Sequence, residues 1–358
     1  MASPFTFTPG MAGKAYINMH YTDEIADSFD DPESERYVYK ILGLRGSGKS
    51  VVYSKLINAT KAKEAWKVYT ISAGVENPHK SLIGQMSKDG FISSYDDTVK
   101  LSAEAGAEGN VLVAKGSGKV AVEVERAKNP NLYSDESTIK DMVRSATKKG
   151  FKILIGIDDI VKSEEMVSFL SLIGDMILDE ERDIYLLCTG TTKNIEDFAA
   201  EPHLSFFVRG NKIEIAGLSM NQMALKYAEL LGAPLETAKA LARYTKGYAY
   251  AYQVLGELCY THGSTDIQSF EQEFDASLAD QYDLIFKGLA DSEKEFLRAV
   301  VLSESGAAKD IQKNMTNQEN YNVLRSRLSK KHLVNASIRG ILTVDLPRIK
   351  EYFTAWQL

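Results

Sequence analysis

A chain of 358 residues, 44% hydrophobic and 25% charged, is a folded globular protein too long for one core. Its net charge of −7 argues against a surface that coats nucleic acid throughout, and no apolar run approaches the roughly 20 residues of a membrane span. Two cysteines, Cys188 and Cys259, lack metal-ligand spacing, so free thiols are expected rather than a disulfide or a zinc site.

The N-terminus has no basic start followed by an apolar block, so the expectation is a cytoplasmic protein. Residues 1–36 read as an arm whose apolar residues Phe5, Phe7, Tyr16 and Ile17 are separated by Pro4, Pro9 and glycines. It either straps the surface or lies across a bound base. A short exposed helix is expected between Asp23 and Glu35.

A core reads over 37–217. Tyr37–Leu42 is a short buried strand, and Val51–Ile57 starts a helix. Between them stands Gly43-Leu44-Arg45-Gly46-Ser47-Gly48-Lys49-Ser50. The pattern G-x-x-x-x-G-K-S between a strand and a helix is a phosphate loop. Glycines let successive N–H groups converge on one anion, and the helix start adds unpaired donors. Gly43, Arg45, Gly46, Ser47, Gly48, Lys49, Ser50 and Val51 are therefore the expected nucleotide-binding set. Lys49 would reach the β- and γ-phosphates, and the Ser50 hydroxyl would ligate Mg2+.

Ala65–Ser72 is a second strand, followed by a helix around Ser81–Met86. Residues 90–131, rich in Gly, Ala, Ser and Lys, read as an inserted excursion with a hairpin. Its Gly116-Ser117-Gly118-Lys119 lacks the upstream glycine and a following Ser/Thr, so it is expected to be a hairpin turn. After a helix at Ser137–Lys149, Phe151–Asp159 is a buried parallel strand ending in two carboxylates. Groups at the carboxyl ends of such strands face ligands. Asp158 would hold magnesium and Asp159 would position or deprotonate a water; the alternative is that both cap a helix starting at Ile160. Asp183–Thr192 is another core strand, with Thr189 first and Thr191 second as a γ-phosphate sensor. Lys212–Ala216 is the last strand, and strands alternating with helices imply a parallel sheet.

From 218 to 287 the pattern is helical, with Gly232 and Gly247 as breaks, and reads as a small lid. Residues 288–358 show three helices and a hairpin at Leu333–Val344, the pattern of a winged helix. From Leu284 on the net charge is +4, against −11 for the rest. Arg325, Arg327, Lys330, Lys331 and Arg339 are its candidate double-stranded-DNA contacts; the alternative is a protein partner or self-association.

Taken together, Gly43–Ser50, Ile153–Asp159, Leu186–Thr192, Arg209, the Gly247–Gln253 helix start and the winged helix resemble the AAA+/STAND-related archaeal-type P-loop ATPases, with bacterial members similar in layout. The resemblance implies an α/β P-loop core, helical lid and winged helix. It implies ATP with Mg2+, hydrolysis, Asp158 on the magnesium side, Thr189 near a sensor position, and Arg209 as a candidate catalytic finger. That family often carries Glu where Asp159 stands, which points to weak turnover or to a nucleotide-gated regulator with negligible hydrolysis.

Overall fold

The structure is a computed structural model. It describes residues 3–355 except 7, 9, 32, 92–133 and 179–182. The expected excursion at 90–131, including Gly116–Lys119, lies almost entirely outside the described residues.

Five parallel strands form one sheet in the order β2-β3-β4-β1-β5: β1 Val38–Leu42, β2 Trp66–Ser72, β3 Lys152–Asp158, β4 Ile184–Gly190 and β5 Asn211–Glu214. All five residues of β1 and all seven of β4 are buried, as near-continuous apolar runs of a sheet covered on both faces should be. On one face lie α1 (Tyr21–Asp30) and α2 (Lys49–Lys61), packing Ile25, Phe29, Val52 and Leu56 against Tyr39, Ile41, Leu154 and Leu187. On the other lie α3 (Pro78–Lys88), α4 (Asp135–Lys148) and α5 (Glu164–Leu178), packing Leu82, Met142 and Phe169 against Val38, Ile155 and Leu186. A fully buried side chain of this size contributes about 1.5–3 kcal/mol.

Local signals explain the boundaries. α3 starts earlier than expected because the Asn77 side chain accepts from the Lys80 N–H and Pro78 occupies the first turn. α4 is capped by Ser134 in the same way. α1 is longer and less exposed than the sequence implied, since Ile25 and Phe29 are completely buried beneath it.

The chain then becomes helical. α6 (Thr192–Asp197) and α7 (Ser205–Arg209) precede β5. The lid follows as α8 (Met220–Leu231), α9 (Leu235–Tyr244), α10 (Ala249–His262) and α11 (Glu271–Phe286). The winged helix comprises α12 (Asp291–Leu302), α13 (Ala308–Lys313), α14 (Tyr321–Lys330) and a terminal α15 (Ile349–Ala355) that the sequence reading missed. The wing is smaller than the expected hairpin. Asn335 and Thr343 exchange two backbone bonds, and Ala307 bridges Ile341.

Lid and winged helix share one buried cluster, running from Tyr227 and Leu255 through Tyr282 and Phe286 to Leu324 and Phe353. Arg348 ties the two together. Its guanidinium binds both Asp275 oxygens, at 2.8 and 2.7 Å, and also meets Glu271 and Glu351. The arm joins this cluster to the sheet: Phe5, Ala15 and Ile17 are buried in the lid core while α1 packs on the sheet. Among the described residues no helix is long and apolar enough to cross a membrane.

Candidate functional site

The loop after β1 turns tightly into α2. Gly48, at φ 99°, is the left-handed residue on which the helix starts, a conformation that strains any residue with a Cβ. Among the described residues no backbone acceptor takes the N–H groups of Gly46, Gly48, Lys49 or Ser50. The last two belong to the first turn of α2, where donors are orphaned by helix geometry. Four unpaired donors at the positive end of a helix dipole form an anion cradle.

Lys49 is 7% exposed and donates to the Gly43 and Leu44 carbonyls at 3.1 and 2.9 Å. Burial pushes its ammonium down to about 8, against the pull of Asp159 and Asp158, with Arg45 adding to the depression. Its charge is therefore held in the loop without a direct carboxylate partner.

Asp158 ends β3 beside β4, because Ile157 pairs with Cys188 and places the next residue level with Thr189. Asp158 Oδ1 accepts from Thr189 Oγ1 at 2.5 Å and from Ser50 Oγ at 3.2 Å. Thr189 Oγ1 also accepts the Asp159 N–H at 2.8 Å. The one hydroxyl proton of Thr189 is thus committed to Asp158, so this threonine holds the carboxylate and does not reach outward. The Thr191 side chain caps α6 by accepting from the Asn194 N–H at 3.2 Å.

Asp159 has φ 52°, a left-handed conformation that Asp tolerates better than most residues. Its side chain is exposed and lines the cavity. Neither aspartate caps a helix. Residues 160–163 are non-helical, α5 begins at Glu164, and Ser163 Oγ accepts the Met166 N–H.

A cavity of about 360 Å3 opens on this cluster. Of the expected nucleotide-binding set, Arg45, Gly46, Gly48, Lys49, Ser50 and Val51 line it, with Asp158 and Asp159. Gly43 and Ser47 do not. They build the loop from behind, where a Cβ on Gly43 would stand 2.7 Å from Ser47 Oγ. The other walls come from the arm, one of whose two expected roles was to lie across a bound base, through Thr6, Thr8, Gly10, Tyr16 and Met19, and from the expected lid, through Tyr250, Tyr252, Gln253 and Gln281. The arm is a buried strap and a wall of the cavity at once. The Gly247-Tyr248 break marked the lid entry; Gln281 carried no local signal.

Arg209 does not join the cluster. It ends α7 and lines a different hollow with Asp27, Asp31, Arg36, Tyr37 and Asn211, at the amino ends of β1 and β5. The five residues of β1 separate that hollow from the phosphate loop by about 17 Å.

On the winged helix, Arg325, Arg327, Lys330 and Arg339 are exposed. Lys331 is not a free contact: it binds both oxygens of Glu293, which is 4% exposed, at 2.7 Å. Burial works against the charged Glu293, yet the Lys331 ammonium and the Ala290 N–H hold its carboxyl below the usual range.

No protein-family model and no curated protein matches the sequence. Solved structures do match. A Walker-type ATPase of Pyrococcus abyssi superposes with a TM-score of 0.66 at 11% identity, over 98% of this chain and 99% of that one. This chain shares that protein's fold: a five-stranded parallel sheet followed by a helical lid and a winged helix. The ORC2 protein of Aeropyrum pernix, in ADPNP–ADP complexes, is similar with a TM-score of 0.55 at 12% identity, covering 98% of this chain and 95% of that one. These likenesses extend through the lid and winged helix, and they agree with the family resemblance carried by the motifs.

The cavity suits a magnesium nucleotide. It supplies four free N–H donors, one buried ammonium, a hydroxyl and a carboxylate 3.2 Å apart, and a second, exposed carboxylate. Magnesium takes one or two protein ligands and fills the rest with phosphate oxygens and water, and the Ser50 hydroxyl and Asp158 carboxylate can supply such a pair.

Proposed function

We propose that this protein binds Mg–ATP in the loop cavity, hydrolyses it slowly, and passes the nucleotide state through the lid to a winged helix that contacts DNA. The observation that supports it most is the Ser50–Asp158–Thr189 chain of hydrogen bonds directly beside unpaired phosphate-loop donors. The similar ORC2 structure holds ADPNP and ADP in the same fold.

In this reading the N–H groups of Gly46, Gly48, Lys49 and Ser50 receive phosphate oxygens. The Lys49 ammonium exchanges its bonds to Gly43 and Leu44 for bonds to phosphate, recovering the charge interaction that burial denies it. Ser50 and Asp158 hold magnesium, which neutralises phosphate charge when bound. Thr189 keeps the Asp158 carboxylate aimed at Ser50. Asp159 orients the attacking water, and its short side chain keeps turnover low. Arg209 serves only a nucleotide on a second copy, because its own loop lies at the other end of β1. Arg325, Arg327, Lys330 and Arg339 meet phosphate backbone.

ATPase turnover with duplex DNA titrated in tests the proposal. Sustained phosphate release, abolished by Asp158→Ala, is expected. DNA affinity should fall steeply with salt, and Arg325→Ala should reduce that salt slope by about 0.9. Tight ATP binding with no release at any DNA concentration favours the second reading, a nucleotide-gated regulator. What supports that second reading is the Asp159 carboxylate, which is exposed.

A further inference from the structure

The lid touches the phosphate loop through backbone carbonyls. Tyr248 Oη donates to the Arg45 carbonyl at 2.7 Å, and the Tyr250 N–H donates to the Gly46 carbonyl at 3.0 Å. In a planar trans peptide the C=O and the following N–H point in opposite directions. Drawing the Arg45 carbonyl to the lid therefore turns the Gly46 N–H away from the lid, into the concavity of the loop. The bond on the Gly46 carbonyl likewise turns the Ser47 N–H inward, where it closes a turn on Leu44 at 3.2 Å.

The approach is close. A Cβ on Gly46 would lie 2.3 Å from Tyr248 Oη and 3.1 Å from Gln281 Nε2. Tyr248 is 6% exposed, its hydroxyl also pairs with the Gln281 side chain, and its phenol is pushed far above the ordinary range mainly by burial. Behind it, Tyr248 stacks on Tyr282 with ring centroids 6.5 Å apart. The Tyr282 hydroxyl donates to the Pro347 carbonyl, at 2.5 Å, in the segment entering α15 of the winged helix. The lid residues lining the cavity include no Lys or Arg, so no lid cation is placed there to meet a phosphate.

We infer that Tyr248, steadied by Tyr282, is a positioning residue for phosphate: it sets the Arg45–Gly46 peptide plane, so the anion cradle is complete only while the lid is docked. This rests on the nucleotide reading of the cavity. Because coupling is reciprocal, an anion in the cradle holds the lid and the Tyr282–Pro347 contact in place, and movement of the winged helix loosens the cradle. The nucleotide state then reaches the C-terminal module through two tyrosines.

The test uses the full chain, a non-hydrolysable ATP analogue and adenosine, titrated by calorimetry. Tyr248→Phe keeps the ring and its stacking but loses the hydroxyl. Its affinity for the analogue should fall about 5- to 10-fold, the worth of one hydrogen bond, while adenosine affinity stays within twofold. Tyr282→Phe should lower analogue affinity about twofold to threefold, again sparing adenosine, and decides the matter if Tyr248→Phe does not fold. Analogue affinity unchanged in the folded variants overturns the inference and leaves the nucleotide site standing. Equal losses for analogue and adenosine also overturn it, since that pattern marks general loosening of the lid. A wild-type chain that binds neither compound sinks the nucleotide reading and this inference together.

Discussion

β1 carries a buried lysine in its middle and leads to another just past its end, and the two are used differently. Lys40 is fully buried, points across the sheet and donates to the Phe207 carbonyl and, at 3.0 Å, to the Val208 carbonyl, closing the carboxyl end of α7. Lys49 also donates to two carbonyls, but they belong to its own loop, beside free N–H donors and near two carboxylates. Burial lowers both ammonium groups to about 8, so the degree of perturbation does not tell a structural lysine from a ligand-binding one. The surroundings do: Lys40 satisfies a helix end, whereas Lys49 sits on the wall of a cavity.

The sharpest way to break this contrast is Lys49→Ala. Nucleotide affinity should drop about 300- to 1000-fold, the loss of charge-assisted bonds to phosphate. The melting temperature without ligand should change little, since losing a desolvated charge offsets the two loop carbonyls left without their donor. Calorimetry beside thermal unfolding reads both. Lys40→Ala should show the mirror image. It leaves two helix-end carbonyls unpaired and a cavity in the sheet, costing about 3 kcal/mol. The melting temperature should fall roughly 4 °C with nucleotide affinity within twofold. Identical profiles for the two variants would dissolve the comparison.

Lys331→Ala extends it to the winged helix. Glu293 would be left buried without its cation, at a cost of about 2 kcal/mol, read as a lower denaturation midpoint. DNA affinity at constant folded fraction should barely change, because this lysine faces inward. The smallest effect is on pH. Without ligand, Lys49 loses its proton near pH 8 in the folded chain and near 10.5 in the unfolded one. The unfolded state binds more protons in that window, so unliganded stability rises with pH between them. Bound phosphate favours the ammonium, so above pH 8 binding takes up a proton. Nucleotide affinity should be flat below pH 8 and weaken up to about tenfold per pH unit above it. In Lys49→Ala the residual affinity should lose this slope.

Much of the site was legible because its chemistry is local. The Gly43–Ser50 spacing, the preceding apolar strand and the following helix sit within one stretch of chain, and the backbone geometry there follows from neighbours in sequence. Asp158 was legible as the end of an apolar run. Lys331 was misread because residue type alone cannot distinguish a cation facing outward from one held by a partner, and the capping role of Thr191 was not seen. Thr191 caps the helix that follows it, and the partner of Lys331 lies 38 residues away. The terminal α15 was missed because its apolar residues Ile349, Tyr352 and Phe353 find their complement on α11 and not on a regular neighbour of their own.

By itself the sequence determined the class of fold, the phosphate loop and the strand ends that frame it, since period, glycine spacing and helix-start donors act over a few residues. Only the tertiary structure decided which charges remain available. It placed Arg209 at the far end of β1, gave Lys331 to Glu293, and brought Tyr248 onto the Arg45 carbonyl across 203 residues of chain. The physical reason is that pairing and burial depend on which surfaces meet when the cores close, and no local pattern records the partner a side chain will find there.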